Sequence, residues 1–491
     1  MSEKKSFYIT TTLPYVNDVP HIGHALEFVR ADVMARHRRL IGRDVFFNTG
    51  SDEHGAKIQE VAEKLGQSTQ VYTNIFADRF IDLHKKLNIS YDGFIRTTDE
   101  VHITAAQEMW RRCDTNGYIY KKNYQSKYCV GCELNKTDSE LENGKCPDHP
   151  NREVELIDEE NYFFKFSEFG VRLTEFYNKN PNFVIPDHRY NEIKSFVTRG
   201  LEDFSISRLK SKMSWGVPVP DDPKHVMYVW FDALTSYIST LGWPEGKNFD
   251  KYWMQDPNSA NGQVRQVVQY CGKDNLRQQS AMWQAMLMAA GLPNSTHVFI
   301  NGFILTGGKK MSKSSGNVLN PENIIKDYEE VTDYGEDILR FVLLHDVSSN
   351  EDGDITLESI QASYTAHLVN GIGNLTNRIM KMAITNNVVS LESSRKDTQE
   401  VMKALEEFDS KRAIEIVMEE VRALDKFIQT NEPFKVVKVD EEKGILLIGD
   451  CLSDLHRIAH NLEVFLPRTS AKILECIEEH KMPEKPLFAR F

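Results

Sequence analysis

The chain has 491 residues, 41% hydrophobic and 10% aromatic, enough for about three domains with buried cores and too apolar for a disordered chain. With 59 basic and 72 acidic side chains the formal net charge is −13, which argues against a general DNA or polyanion binder but leaves room for a local groove that reads unstacked RNA bases. No run approaches the ~18 apolar residues of a membrane span, and Pro14 breaks the apolar stretch behind the basic tip, so the expected location is the cytoplasm, away from membranes.

In chain order, Phe7 to Thr11 is β-branched and aromatic and ends at Pro14, which predicts a strand. Apolar residues at helical spacing predict a helix from about Ala25 to Arg36, and Asp44 to Asn48 a second strand running into Thr49-Gly-Ser-Asp-Glu-His-Gly. A helix follows from Ala56 to Leu65. This alternation predicts an α/β fold with a parallel sheet and ligands at the carboxyl ends of its strands. From about Gly117 to Asp222 the sequence turns charged, turn-rich and cysteine-bearing; strand signals return at Val226 to Phe231 and at Gln266 to Tyr270, with a helix expected from Gln279 to Ala290. An insertion dividing a parallel sheet accounts for this order. Beyond Ser359 amphipathic helices dominate, over Val401–Phe408, Ala413–Phe427 and Ile445–Phe465, which reads as an all-α domain.

Three motifs carry chemistry. His21-Ile-Gly23-His24 sits where the first helix starts; unpaired N–H groups and the dipole end there favour a phosphate, Gly23 allows close approach, and both imidazoles can donate to phosphate oxygens. Lys309-Lys310-Met-Ser-Lys313-Ser-Ser-Gly316, behind Gly307-Gly308, can close over a triphosphate and offset charge growing on a departing pyrophosphate. Cys129-Val-Gly-Cys132 and Cys146-Pro-Asp-His149, thirteen residues apart, form two knuckles able to hold one tetrahedral, structural Zn²⁺. Seven cysteines, three within eighteen residues, fit a metal site in a reducing compartment better than a disulfide framework.

The first two motifs, in this order, resemble the paired signatures of class I aminoacyl-tRNA synthetases. Leu13-Pro-Tyr15-Val-Asn, Asp52-Glu-His-Gly, Asp203-Phe-Ser-Ile-Ser-Arg208, Tyr228-Val-Trp-Phe-Asp-Ala233 and Gly272-Lys-Asp274 resemble the methionyl-tRNA synthetase family, over nearly the whole chain. The resemblance implies a Rossmann-type catalytic domain over 1–116 and 226–320, a zinc-bearing connective insertion over 117–225, a stem-contact segment over 321–360 and a helical anticodon-binding domain over 361–491. It implies methionine-pocket roles for Leu13, Tyr15, Trp230, Ala233 and Tyr237, with Asp52 holding the substrate ammonium. ATP would meet His21, Gly23, His24, Glu27, Gly272, Asp274 and Lys313, with Lys310 and Lys313 stabilising pyrophosphate in the transition state. Asn374 and Arg378, four residues apart on one helix face, would read anticodon bases and Phe434 would stack on one.

One wall departs from the family pattern. After Gly-Lys-Asp the family carries an isoleucine and, four residues beyond it, a histidine; here Asn275 and Gln279 stand at those positions, with Gln278 alongside. A buried amide left unpaired there would be costly, although Gln279 can donate to a thioether sulfur.

The implied reaction has two steps: methionine and Mg²⁺-bound ATP give methionyl-adenylate and pyrophosphate, and a terminal ribose hydroxyl of tRNA(Met) then takes the acyl group. Two alternatives stay open: a class I synthetase of altered amino-acid specificity, and an inactive synthetase-like RNA-binding protein. A synthetase for leucine, isoleucine or valine is disfavoured, because an insertion of about 105 residues, partly spent on zinc, is short for the editing domain such enzymes need. A zinc-ribbon nucleic-acid reader leaves both ATP motifs unexplained. The chain stops at Phe491 soon after the helical region, so a monomer is expected.

Overall fold

The computed structural model describes residues 5–131, 134–136, 141–147, 149–254, 266–311, 317–349, 351–389, 395 and 397–490. They form two compact units, Met1–Val19 with Arg43–Phe80 and Tyr91–Ile300, and Pro20–Gly42 with Ile81–Ser90 and Asn301–Phe491. Among the described residues no helix is long and apolar enough to cross a membrane.

The first unit is built on a six-stranded sheet. Its strands are β1 (Ser6–Thr11), β2 (Asp44–Ser51), β3 (Gly93–Arg96), β4 (Val184–Ile185), β5 (Gln266–Gly272) and β6 (His297–Asn301), in the spatial order β3-β2-β1-β5-β6-β4. β1 pairs in parallel with β2 on one side and β5 on the other, and β2–β3 and β6–β4 are also parallel. Phe7 to Thr11 are all buried, as expected of a strand covered on both faces rather than one that alternates. Chain order reverses direction across the sheet at β1, so the carboxyl ends of β1, β2 and β5 meet at a topological switch point, where open α/β sheets bind ligands. The apolar core behind them includes Tyr8, Trp110, Phe164, Phe231, Trp253 and Trp283.

Three details differ from the sequence reading. Val226 to Phe231 is not a strand of the parallel sheet. His225–Met227 pairs antiparallel with Ser207–Leu209, and the chain turns at Tyr228 into the helix Val229–Ala233. There Tyr228 O accepts from Phe231 N and Asp232 N at 3.0 and 3.2 Å; the carboxylate partners of Asp232 outweigh the β propensity of its neighbours. Gln279 to Ala290 is not uniformly α-helical: Gln278–Met282 is a π-helical turn and the α-helix runs over Trp283–Ala289. The Gln284 side chain donates to Gln279 O at 2.9 Å, an intrusion of the kind that widens a helical ladder. The segment 117–225 also does more than form a separate sheet (Ile119–Cys129, Leu134–Lys136, Glu155–Phe164 and Phe204–Ser205), because it sends β4 back to the edge of the central sheet.

The second unit is mainly helical. Helix α1 (Ile22–Leu40) belongs to it, together with Gly335–His345, Asn374–Thr385, Ser410–Asn431, Glu441–Leu462 and Pro467–Glu478. Within this unit the fully buried Arg340 makes an ion pair with Asp32 of α1 at 2.7 Å. It also donates to Phe465 O, Val464 O and Leu87 O at 2.7, 3.1 and 3.1 Å. Asp32 accepts further bonds from Arg36 Nε and from Ser90 N and Oγ. Arg30 of α1 reaches Asn301 Oδ1, Val347 O and Ser348 O. All four bonds to the Asp32 carboxylate and four of the five Arg340 N–H groups are thus accounted for, close to the condition under which a buried pair holds elements in register. Arg340→Met leaves Asp32 partly uncompensated and should cost about 3–5 kcal/mol, read as a lowered midpoint in thermal or urea unfolding; an unchanged midpoint would contradict the role given to this pair.

Candidate active site

At the switch point the first unit gathers three acidic side chains, Asp52, Glu53 and Asp232, all buried. Two have internal counter-charges. Glu53 receives Arg96 Nε and Nη2 at 2.6 and 2.8 Å, with hydroxyl bonds from Ser51 and Thr98. Asp232 sits between two imidazoles, His54 Nδ1 and His102 Nε2, each at 2.6 Å, and His102 Nδ1 lies 2.9 Å from Ser239 Oγ. These partners outweigh burial and hold the Asp232 carboxyl down at about 2. Asp52 has no such partner: its Oδ1 is buried without a hydrogen bond among the described residues. Burial first, then the charges of Asp232 and Glu53, push its carboxyl well above the usual carboxylate range. One acid of three therefore lacks a basic side-chain partner among the described residues, and it lies one residue past the end of β2.

The surroundings suit a cationic group with an apolar tail. Tyr15 and Asp52 form a parallel bridge; Asp52 N donates to Pro14 O at 2.8 Å and Val16 N to Asp52 O at 3.0 Å. Gly55 has φ 131°, and a Cβ there would lie 2.5 Å from Tyr15 Oη, so glycine is required for both reasons. Trp215 Nε1 donates to Glu53 O at 2.6 Å and its ring packs edge-on to His54. Leu13, Ala233 and Tyr237 are buried, while Tyr15 and Trp230 are half-buried. Gln279 is buried yet not unpaired: its Oε1 accepts from Gln269 Nε2 at 3.2 Å and its Nε2 donates to Tyr237 Oη. Asn275 is half-buried and Asp274 exposed, on the short turn that follows β5, and a Cβ at Gly272 would lie 2.9 Å from Asp274 Oδ1.

In the second unit, α1 begins with a reciprocal cap. His21 Nδ1 accepts from Gly23 N at 3.1 Å, and His24 Nδ1 accepts from His21 N at 3.2 Å. Ile22 N and His24 N are also bonded, to Leu319 O and His21 O. The first-turn N–H groups expected to be open are thus used internally. With each Nδ1 accepting, a neutral imidazole carries its proton on Nε2. The rings stack at 3.7 Å, and desolvation followed by the proximity of His21 and His84 keeps His24 well below the usual histidine range. Glu27, one turn on, is half-buried. Lys309–Lys310 form a short strand hydrogen-bonded to Ile304–Thr306 through the Gly307-Gly308 turn, and Lys310 Nζ lies 4.4 Å from the Phe303 ring centre. Lys313 lies outside the described residues.

Cys129, Cys146 and His149 bring one ligand atom each within 4.8 Å of one another. Both cysteines are buried, and a Cβ at Gly131 would lie 2.4 Å from the His149 ring, so the knuckle is folded tightly around the donors. This cluster can hold a metal ion; Cys132 lies outside the described residues. In the helical region Asn374 is exposed at the start of Asn374–Thr385, and Arg378 on the same helix is ion-paired with Asp425. Phe434 is 40% exposed, with Lys435 Nζ 5.9 Å from its ring centre.

A family profile described as tRNA synthetases class I (M) matches residues 7–156 and 149–380. The chain belongs to this family. A methionine–tRNA ligase of Nostoc sp. is 37% identical, covering 96% of this chain and 90% of its own, and one from Caldanaerobacter subterraneus is 38% identical over 96% and 74%. The solved methionyl-tRNA synthetase of Mycobacterium tuberculosis in complex with methionyl-adenylate superposes with a TM-score of 0.87 at 31% identity, covering 99% of this chain and all of that one. In this class I synthetase the residues that sequence reasoning missed are His54, His102, Asp232, Glu53, Arg96 and Gln269. His54, Glu53 and Asp232 lie inside motifs already singled out, yet nothing local says that two imidazoles close on one carboxylate from positions 54 and 102. Only the fold brings them together.

The electrostatics fix a sign. An α-ammonium ligand seated on Asp52 would need its ionised form, so affinity for such a ligand should rise with pH through the raised Asp52 range and then level, and Asp52→Asn should remove this dependence while weakening binding. Stability runs the other way. The folded Asp52 carboxyl lies above its unfolded value, so its contribution is present at low pH and lost as pH rises through the folded value. Asp52→Asn should therefore raise the Tm of the ligand-free protein at pH 8, measured by calorimetry, even as it weakens ligand binding.

Proposed function

We propose that the chain is a methionine–tRNA ligase, which activates L-methionine with ATP and transfers it to tRNA(Met). The observation that carries this is the buried Asp52 carboxyl, bridged to Tyr15 and without a side-chain cation, in a chain whose relatives, matched over 95–97% of this chain in seven of eight cases, are methionine–tRNA ligases; by resemblance Leu13, Trp230, Ala233 and Tyr237 complete the pocket. The α-ammonium takes the charge of Asp52, and the thioether side chain packs among aromatic edges, where sulfur is favoured. Gln279 is paired to Gln269 and Tyr237, so this side chain itself asks for no polar substrate, while its neighbours Gln269 and Gln278 each keep a buried oxygen without a partner among the described residues.

In the first step a methionine carboxylate oxygen attacks the α-phosphorus of ATP, the bond to the bridging oxygen breaks, and pyrophosphate leaves. In the second a ribose hydroxyl of the terminal adenosine attacks the acyl carbon, its proton passes to solvent, and AMP leaves. No enzyme nucleophile is needed, because the adenylate is already activated; catalysis is positioning and charge stabilisation. His21 and His24 donate from Nε2 to phosphate oxygens with Gly23 and Glu27 beside them, Gly272 and Asp274 meet the ribose, and Lys310 and Lys313 take charge from the leaving pyrophosphate. Mg²⁺ arrives with ATP and lowers the charge of its phosphates.

The domain plan given by resemblance carries the rest. Zn²⁺ held by Cys129, Cys132, Cys146 and His149 orders the knuckles of the insertion 117–225. The halves 1–116 and 226–320 form the catalytic domain, 321–360 meets the acceptor stem, and Asn374, Arg378 and Phe434 in 361–491 read the anticodon. The expected setting is a cytoplasmic monomer.

Charging of a tRNA bearing a CAU anticodon with labelled methionine tests the reading, with no charging of a tRNA of another anticodon expected. Lys313→Ala should lower the single-turnover rate of pyrophosphate release at least 10²-fold with methionine affinity retained, the usual scale for loss of a transition-state charge partner; release at the wild-type rate would remove Lys313 from this role. Cys146→Ser should release one equivalent of zinc, measured by elemental analysis, and loosen the knuckle to proteolysis, because a structural metal contributes its binding energy to folding.

A further inference from the structure

The segment 51–54, which carries Asp52, is gripped at the two residues that follow it. Glu53 N donates to Thr97 Oγ1 at 2.9 Å, Thr97 N donates to Ser51 O at 3.2 Å, and the Glu53 carboxylate is taken by Arg96, Thr98 and Ser51. His54 is held through its ring, which meets Asp232 Oδ2 at 2.6 Å, and its main-chain N–H bonds to the Asp52 carboxylate. The helix Glu100–Thr115 follows Thr98 and sets His102, fully buried, against the other oxygen of Asp232 at 2.6 Å. The stretch from Arg96 to His102 thus reaches the Asp52 segment twice, directly at Glu53 and through Asp232 at His54.

His102 also joins two short helices. Val229–Ala233 and Ser236–Ser239 have five and four residues, too few for helical hydrogen bonds to fix their own placement. Asp232 belongs to the first and Ser239 to the second, and the His102 ring takes one with each nitrogen, Nε2 meeting Asp232 Oδ1 and Nδ1 lying 2.9 Å from Ser239 Oγ. An ionised carboxylate only accepts, so the two ring nitrogens that face Asp232 carry protons, and both of its oxygens are engaged. The helix that carries Trp230 and Ala233 is thereby tied to the segment that carries Asp52 through buried side chains alone. A carboxylate kept for a ligand cation has no cation of its own to locate it, so its place is set by its neighbours.

We infer that His102 is a positioning residue for amino-acid binding: through Asp232 and His54 it holds Asp52 and the helix bearing Trp230 and Ala233 in the one relation that meets the α-ammonium and the apolar side chain of the same ligand. The inference rests on the proposed reading of Asp52, Trp230 and Ala233 as parts of the amino-acid pocket. Fully buried, His102 touches no ligand itself. Its loss acts on the amino acid and leaves ATP binding as it was.

The test is ATP–pyrophosphate exchange, with KM for methionine and KM for ATP measured separately in three variants. A glutamine amide nitrogen falls close to where the histidine Nε2 stands and an asparagine one close to Nδ1, so His102→Gln keeps a donor for Asp232 whereas His102→Asn reaches only Ser239. His102→Leu and His102→Asn should raise KM for methionine about tenfold, the scale of one hydrogen bond to a charged group, with kcat and KM for ATP within about twofold of wild type. His102→Gln should stay within about threefold of wild type throughout. A merely structural role would not separate glutamine from asparagine and would not separate methionine from ATP. An unchanged KM for methionine in a folded Leu or Asn variant, an equal rise in both KM values, a Gln variant no better than the Asn one, or failure of both the Leu and the Asn variants to fold overturns the inference. No exchange with methionine in the wild-type protein overturns the reading of the pocket itself, and the inference with it.

Discussion

A buried carboxylate without a counter-charge is the constraint on which the first unit depends. Asp232 and Glu53 lie close enough to raise the cost of ionising Asp52, and the protein gives those two partners of their own, Arg96 for Glu53 and His54 with His102 for Asp232. Leaving Asp52 unmatched raises the cost of ionising it in the folded state, and in the proposed reading a ligand cation would meet that cost. Much of the local architecture serves that arrangement: the glycine at 55 that admits Tyr15, the helix starting at Val229 that brings in Asp232, and the indole of Trp215 that ties down Glu53. The site stores binding energy by withholding one partner.

The second unit treats its buried charges in the opposite way. Asp32 and Arg340 are bonded to one another, to Arg36 and Ser90 and to three main-chain carbonyls. This pair anchors the middle of α1, whose first turn carries His21 and His24. The two imidazoles, which the proposed reading assigns to phosphate, are held by their own Nδ1 bonds and by a helix bolted into the unit that also contains the C-terminal helices. Preorganised donors of this kind cost little to align when charge develops on a ligand.

Much of this was legible in the sequence because the relevant signals are local. Phe7 to Thr11 reads as a buried strand and is one; Asp44 to Asn48 lies within β2; Ala56 to Leu65 matches the helix Ala56–Lys64; and the long amphipathic stretches after Ser359 are helices. The spacing of Cys129, Cys146 and His149 anticipates their approach in space. What failed was set by tertiary contacts. Val226 to Phe231 has strand-like residues but bends into a helix where Asp232 meets two histidines, and Gln279 to Ala290 opens with a π-helical turn where Gln284 takes a main-chain carbonyl. The polar wall looked costly from composition alone. Gln279 itself is paired, while Gln269 Oε1 and Gln278 Oε1 are left without partners among the described residues; no local pattern could show this pairing, because Gln269 and Gln279 sit ten residues apart on a strand and a helical turn.

The central claim is that Asp52 and its apolar, aromatic surroundings select methionine for activation. The most direct measurement is ATP–pyrophosphate exchange with each of the twenty amino acids in turn, without tRNA. Exchange supported by methionine alone is the result this account predicts. Exchange led by another amino acid would keep the reaction and contradict the pocket, and exchange with none, with or without added tRNA, would contradict the activation chemistry itself.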